Sequence, residues 1–185
     1  MKRCDWCGSD PLYMKYHDEE WGKPFEDDQL MFEFLLLETF QAGLSWITIL
    51  RKRENFRVAF DQFDPEIIAK YDDRKVEQLM QDAGIIRNRQ KINAAITNAK
   101  LVLEMKANGL GLADYFWNWV DGKPIENHPV EMKDIPATSE LSDAISKDLK
   151  KRGFKFVGST VIYAHLQATG IVNDHLIDCS FRNVG

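Results

Sequence analysis

The stretch from residue 27 to residue 41 constrains the fold of this chain more than any other, because it has the pattern of a single apolar helix. Leu30, Phe34 and Leu37 recur at helical spacing, and most residues between them are also apolar. A helix that is apolar over most of its circumference is stable only inside a protein. The rest of the 185 residues must therefore surround it, which favours one compact helical domain.

Start and stop signals divide the remaining sequence into further helices. Seven further helices are predicted from residues that cap helix N-termini or open short helices. Their predicted starts lie near Ser45, Asp64, Asp72, Asn88, Leu112, Ser139 and Ser159. The stretch from residue 121 to residue 136 contains three prolines and is predicted to be a surface loop. No strand pair and no internal repeat is apparent, so the predicted fold class is all-α.

Composition and charge exclude several classes of protein. No apolar run reaches the length needed to cross a bilayer, and the first ten residues lack the apolar stretch of a signal peptide. We therefore expect a cytoplasmic protein without a membrane partner. The net charge of −5 argues against sequence-independent coating of nucleic acid, although basic residues cluster locally. Three cysteines, an odd number, favour metal or redox use over a disulfide framework.

Cysteine and histidine residues lie at both ends of the chain. His175 and Cys179 are four residues apart, which on a helix would place both on one face, able to hold a single tetrahedral zinc. The other two ligands must come from the N-terminal segment, and either Cys4 with Cys7 or Cys4 with His17 fits. A zinc with four protein ligands is structural, and here it would join the two termini.

Aromatic residues crowd the first two dozen positions, in segments too short and polar to form a core. They are Trp6, Tyr13, Tyr16 and Trp21. Trp46 is their expected neighbour, because the turn between the core helix and the next helix brings it close. Such a cluster serves either packing or the stacking of a planar base.

Glu38 follows three leucines at the end of the core helix, where a charge is costly. It either turns outward into solvent or provides a carboxylate inside an aromatic pocket. The second arrangement would favour cationic ligands and would accept hydrogen bonds from the edge of a base.

Four segments together resemble the 3-methyladenine DNA glycosylase I family, a bacterial branch of the helix-hairpin-helix glycosylases. They are R-C-D-W-C-G from Arg3, Y-H-D-E-E-W-G from Tyr16, L-E-T-F-Q-A-G-L-S-W from Leu37, and H-L-I-D-C from His175. The resemblance runs nearly from end to end, and the four segments together are highly specific.

The resemblance implies particular roles for these residues. Zinc would be held by Cys4, His17, His175 and Cys179, leaving Cys7 as a spare thiol. Glu38, as the catalytic-site acid, and Tyr16 would bind the edge of an extruded base, with Trp46, Tyr13, Trp6 and Trp21 as stacking walls. Leu44, next to Gly43, would fill the gap left in the duplex.

The hairpin of this superfamily should lie at residues 83–86, where backbone N–H groups can face a DNA phosphate. Gly84 matches the first glycine of the usual pattern, whereas Ile86 replaces the second. Basic residues that could compensate by charge are Arg87, Arg89 and Lys91. A second phosphate contact is expected in residues 155–160, at Ser159 and Thr160.

The resemblance further implies a monomeric, monofunctional enzyme. It would flip 3-methyladenine out of alkylated double-stranded DNA and hydrolyse the N-glycosidic bond, releasing free 3-methyladenine. We expect one domain, 1–185, with a zinc-anchored subdomain formed by about 1–25 and 165–185. The alternative is a zinc-stabilised helical adaptor that binds nucleic acid or protein without catalysis, with Trp117 and Trp119 as an exposed anchor. A solvent-facing Glu38 would favour this alternative. A zinc hydrolase would need an open coordination position.

Overall fold

The chain folds as a mostly helical protein in the computed structural model, which describes residues 1–182. The last three positions of the expected terminal subdomain therefore lie outside the described residues. The helices in the described part are α1 (Pro11–Glu19), α2 (Asp28–Gln41), α3 (Trp46–Ala59), α4 (Pro65–Ile68), α5 (Asp73–Gln81), α6 (Arg89–Ala107), α7 (Leu112–Asn118), α8 (Glu140–Lys151) and α9 (Ser159–Ala168). The predicted helical fold class is confirmed.

The predicted helix starts are accurate because their capping groups are local. The side chains of Asp64, Asp72, Asn88 and Ser139 each accept a hydrogen bond from a backbone N–H in the first turn of their helix. Ser45 precedes α3 as expected, but its hydroxyl pairs with the Thr48 hydroxyl at 2.8 Å instead of capping the backbone.

Helix α2 lies at the centre of the fold, as its apolar sequence predicts. Every residue from Met31 to Phe40 is buried, including Glu33 and Glu38. The helix packs against α3, α7 and α9. Its C-terminal end carries the candidate site.

One helix was not predicted, and two local expectations were wrong. Helix α1 forms in the N-terminal segment, with Pro11 in its first turn and Asp10 as its N-cap. A parallel pair of two-residue strands, β1 (Ile125–Glu126) and β2 (Val172–Asn173), ties the proline-rich segment to the C-terminal segment. Residues 175–179 form turns instead of a helix, with the Cys179 N–H bonded to the Leu176 carbonyl at 2.9 Å.

The two ends of the chain lie against each other. The Ser180 N–H donates to the Lys2 carbonyl at 2.9 Å, and the Lys2 ammonium pairs with Asp178. Side chains from both ends form a second apolar cluster, separate from the main core around α2. None of the helices in residues 1–182 is long and apolar enough to span a membrane.

Candidate active site and metal centre

A pocket of about 300 Å³ opens where the N-terminal aromatic residues, the end of α2 and one face of α9 meet. Its lining residues are Trp6, Tyr13, Tyr16, Trp21, Glu38, Gln41, Trp46, Met132, Ile135, Pro136, Ala137, Thr160, Tyr163, Ala164 and Gln167. The six base-site residues named from the sequence are all in this set. Residues far apart in the sequence thus form one concave surface suited to a flat ligand.

The aromatic walls support one another through edge contacts. The Trp6 ring centroid lies 4.9 Å from those of Tyr13 and Trp21, and both pairs meet edge to face. On the other side, the Tyr16 and Trp46 centroids are 5.5 Å apart with their planes inclined by 45°. Tyr16 and Trp21 are buried, whereas Trp6, Tyr13 and Trp46 are only partly buried. The walls are therefore packed on one side and open to a ligand on the other.

Glu38 is the one acid that lines the pocket within the described part of the chain. Only 4% of the residue is exposed, and none of the residues 1–182 forms a hydrogen bond or ion pair with its carboxyl group. Burial raises the pKa of Glu38 to about 8. The burial of Tyr16 itself, together with the charge of Glu38, raises the pKa of Tyr16. The solvent-facing Glu38 that would have favoured an adaptor is not observed.

One wall of the pocket was not predicted from the sequence, in which Thr160 was named only as a phosphate contact. Thr160, Tyr163, Ala164 and Gln167 recur at the i, i+3, i+4 and i+7 positions of α9, and this spacing is a signal that could have identified them. The Tyr163 hydroxyl and the Gln167 amide donate to the buried Asp174 carboxylate, at 2.6 and 2.8 Å. This arrangement holds the two polar side chains against the pocket.

The proline-rich segment is more than a surface loop. Met132, Ile135 and Pro136 fold back over the aromatic cluster and close one side of the pocket. Local sequence could not indicate this, because the contact partners lie more than one hundred positions away in the N-terminal segment.

The turn between α2 and α3 presents Leu44 on the surface. Leu44 is 39% exposed, and Gly43 has a φ of +85°, a backbone conformation that favours glycine. The Leu44 N–H donates to the Gln41 carbonyl, and the Gln41 side chain donates to the Leu44 carbonyl, both at 2.7 Å. An apolar side chain is thus held partly exposed, close in sequence to Gln41 of the pocket lining.

The predicted hairpin lies between α5 and α6. The Gly84 N–H donates to the Asp82 carboxylate at 2.7 Å, so this amide already has a partner. A Cβ on Gly84 would lie 2.9 Å from that carboxylate and 3.1 Å from Asn55, which explains the glycine. The N–H groups of Ile86 and Arg87 have no hydrogen-bond partner within residues 1–182, and Arg87 is exposed.

The other basic residues of the predicted patch are engaged elsewhere. Arg89 pairs with Glu77 at 2.6 Å. Lys91 is buried, and its ammonium donates to the carbonyl oxygens of Phe40 and Ala42 at 3.0 Å each. The prediction that the charge of Lys91 compensates for the missing glycine at the hairpin was therefore wrong. The second predicted phosphate contact was placed at Ser159 and Thr160. The Ser159 hydroxyl pairs with the Ser142 hydroxyl at 2.8 Å, whereas Thr160 is exposed at the pocket rim.

Four potential metal ligands meet at the junction of the two termini. Cys4, His17, His175 and Cys179 are buried, and their donor atoms all lie within 4.8 Å of one another. His175 Nδ1 is 3.6 Å from the Cys4 sulfur and 3.4 Å from the Cys179 sulfur, and His17 Nε2 is 3.5 Å from the latter. Ligands on a tetrahedral zinc, at about 2.3 Å for sulfur and about 2.1 Å for nitrogen, would be about 3.6 Å apart. The donor set therefore fits zinc.

The second nitrogen of each histidine is also engaged. His17 Nδ1 lies 2.8 Å from Asp18, and His175 Nε2 lies 3.1 Å from the Trp21 carbonyl. Such partners are typical of metal-binding histidines, because they set the orientation of the ring. Burial lowers the pKa of His175 to about 4, which favours the neutral form that binds metals.

Two other residues named from the sequence, Cys7 and Trp117, have structural partners within the fold. The Cys7 sulfur donates to the Cys4 carbonyl at 3.2 Å and is not part of the four-residue cluster. Trp117 is buried with its indole N–H bonded to the Phe25 carbonyl at 2.8 Å, so the anchor patch with Trp119 is not formed.

Comparisons with known proteins agree along nearly the whole chain. A family model described as methyladenine glycosylase matches residues 6–183. DNA-3-methyladenine glycosylase 1 of Escherichia coli (strain K12) is 51% identical over 179 residues, which cover 97% of this chain and 96% of that protein. A crystal structure of 3-methyladenine DNA glycosylase I superposes with a TM-score of 0.95 at 52% identity, covering 97% of this chain and 98% of the other. A variant of such an enzyme in complex with 3-methyladenine superposes with a TM-score of 0.93 at 35% identity, covering 98% of each chain.

Proposed function

The chain belongs to the methyladenine glycosylase family, and we propose that it acts on alkylated double-stranded DNA by flipping 3-methyladenine into the aromatic pocket and hydrolysing its N-glycosidic bond. As a DNA-3-methyladenine glycosylase it is a hydrolase, and the adaptor without catalysis is set aside. Relatives bound to 3-methyladenine support the choice of base.

The observation that carries the proposal is the buried carboxyl group of Glu38 against aromatic walls. A carboxylate without a partner in such a site is costly unless a ligand compensates for its desolvation. Adenine methylated at N3 is cationic while it remains attached to the sugar, and it also presents N–H donors. It can therefore offset the cost, whereas neutral adenine lacks the charge. We propose that Glu38 is the catalytic acid residue and that Glu38 and Tyr16 bind the edge of the base. The residues that stack on the base are Trp46, Tyr13, Trp6 and Trp21.

The chemistry needs little help from a protein acid. The bond between C1′ and the base breaks with both electrons going to the cationic base, which leaves as neutral 3-methyladenine. Water then bonds to C1′ and loses a proton, which gives an abasic site. The contribution of the protein is to capture the extruded base and exclude other bases, so we propose a monofunctional enzyme without a lysine nucleophile.

DNA is proposed to bind along the surface that joins the turn after α2 to the hairpin. Leu44 would fill the space that the flipped base leaves, and its exposure beside the pocket supports this role. The N–H groups of Ile86 and Arg87 would contact a phosphate, near Gly84. Gly43, Ser159 and Thr160 would complete the contact surface, which a monomer can provide.

Zinc is proposed to be held by Cys4, His17, His175 and Cys179 as a structural ion, one per chain. It would supply folding free energy rather than chemistry, because all four positions are protein ligands. The separate apolar cluster at the chain ends supports a single domain, 1–185, with an anchored subdomain of about 1–25 and 165–185.

A duplex containing one 3-methyladenine tests the function directly. We expect release of the free methylated base and an intact backbone that breaks only after alkali treatment. An unmethylated duplex is the control. Strand cleavage without alkali would contradict the monofunctional mechanism, and the absence of base release above the spontaneous rate would contradict the proposal itself.

A further inference from the structure

Lys91 occupies a position that the chemistry of its own helix does not explain. It lies in the first turn of α6, where the helix dipole disfavours a cation, and only 7% of the residue is exposed. No carboxylate within residues 1–182 forms an ion pair with its ammonium group. A buried cation at the unfavourable end of a helix requires a compensating interaction elsewhere.

The compensating interaction is with the C-terminal end of α2. The Lys91 ammonium donates to the Phe40 and Ala42 carbonyl oxygens at 3.0 Å each. The last carbonyl groups of a helix have no partner within the helix, and a lysine satisfies both their hydrogen-bonding capacity and the negative end of the dipole. Lys91 therefore caps the C-terminal end of α2.

The end of α2 leads directly into the turn that carries Leu44. After Ala42, the chain passes through Gly43 at a φ of +85°, and a Cβ built on Gly43 would meet nothing within 4 Å. The turn itself is held by the reciprocal bonds between Gln41 and Leu44 at 2.7 Å. Lys91 thus provides a direct link from this turn to the helix that follows the hairpin.

We propose that Lys91 is a positioning residue that sets the Leu44 turn relative to the hairpin, so that the wedge and the phosphate contact engage one duplex together. This inference rests on the proposed function. Because Lys91 does not line the pocket, it acts on extrusion of the base and not on recognition of the base. A displacement of about 1 Å in such a contact can cost up to about a hundredfold in rate.

The test compares Lys91→Met with Lys106→Met, a variant of an exposed lysine in the last turn of the same helix. We expect Lys91→Met to lower single-turnover release of 3-methyladenine from a duplex by about tenfold or more. Binding of free 3-methyladenine, followed by tryptophan fluorescence, should stay within about twofold of wild type, since Lys91 does not line the pocket. Lys106→Met should match wild type in both assays.

A double-mutant cycle with Leu44→Ala separates positioning from general structural damage. If Lys91 acts through the wedge, Lys91→Met should have little further effect once Leu44 has been truncated. An equal loss in both backgrounds, a loss of free-base binding, or wild-type release by Lys91→Met would each overturn the proposal. Wild-type base release measured in parallel tests the proposed function independently.

A more conservative variant keeps the test decisive if Lys91→Met does not fold. Lys91→Gln retains an N–H donor, and a smaller loss with the same dependence on Leu44 is expected. Unchanged release, or a loss independent of Leu44, would overturn the proposal. Melting curves on every variant show which of the two substitutions to use.

Discussion

Replacement of Glu38 by glutamine removes the charge from the pocket while keeping the shape of the side chain. The pKa of about 8 sets the size of the expected effect. At pH 7 the free enzyme holds this group mainly protonated, and ionising it costs about 1.4 kcal/mol, from one pH unit at about 1.36 kcal/mol. A cation about 4 Å away returns about 4 kcal/mol at an effective dielectric constant of about 20. The net gain is about 2.6 kcal/mol, or roughly eightyfold.

The assay is single-turnover release of 3-methyladenine from a methylated duplex at low enzyme concentration, after subtraction of spontaneous release. Glu38→Gln should be slower by that factor at pH 7. The wild-type rate should rise with pH by nearly tenfold per unit below about pH 8, as the fraction of ionised Glu38 rises. The variant should show no such rise, so the difference between the two proteins should widen with pH.

Stability provides the control for this variant. Because burial raises the pKa of Glu38 above its ordinary value of 4.5, the folded state binds the proton more tightly than the unfolded state. The contribution of Glu38 to stability is therefore fully present below about pH 4.5 and is lost as the pH rises to about 8. Glu38→Gln should thus be more stable than wild type at pH 8, by a few kcal/mol in denaturant titrations. A variant that is less stable, or a wild-type rate that does not change from pH 6 to 8, would refute the reasoning.

Three further predictions concern the wedge, the metal and the spare thiol. Leu44→Ala should slow release from a duplex by raising its activation free energy by a few kcal/mol at most, and it should leave free-base binding unchanged. Weaker binding of the free base would argue against a wedge role. Metal analysis should find about one zinc per chain, and His175→Ala should remove the metal and lower the melting temperature. The same variant should weaken free-base binding, since the His175 ring packs 4.6 Å from Trp21 in the pocket wall, and full stability without metal would exclude a structural zinc. Cys7→Ser should keep the metal whereas Cys4→Ser loses it, and the reverse result would overturn the ligand assignment.

The pocket shows where sequence reasoning succeeds. The resemblance implied that Glu38, Tyr16 and the tryptophans form one site, and they line one pocket. The burial of Glu38 was left open, because the end of an apolar helix can face either the core or solvent. The packing of α9 and the proline-rich segment over that end decided it.

The cluster of four potential metal ligands brings His175 and Cys179 together as expected, although the local structure expected for them was wrong. His175 and Cys179 were paired because four residues make one turn of helix, yet they meet through turns. The N-terminal partner was open between Cys7 and His17. Cys7 instead bonds to the Cys4 carbonyl, and His17 reaches the cluster from the buried face of α1.

By itself, the sequence determined helices α2–α9, their starts and the apolar character of α2, since caps and periodicity act within one or two turns of chain, whereas α1 was missed. Only the tertiary structure decided which basic residues stay exposed and which are used inside the fold. Lys91 and Arg87 are both basic residues near one hairpin, but Lys91 bonds to a carbonyl 51 positions away, whereas Arg87 is exposed. The physical reason is that a buried ammonium must find acceptors, and the acceptors it finds depend on how distant helices pack.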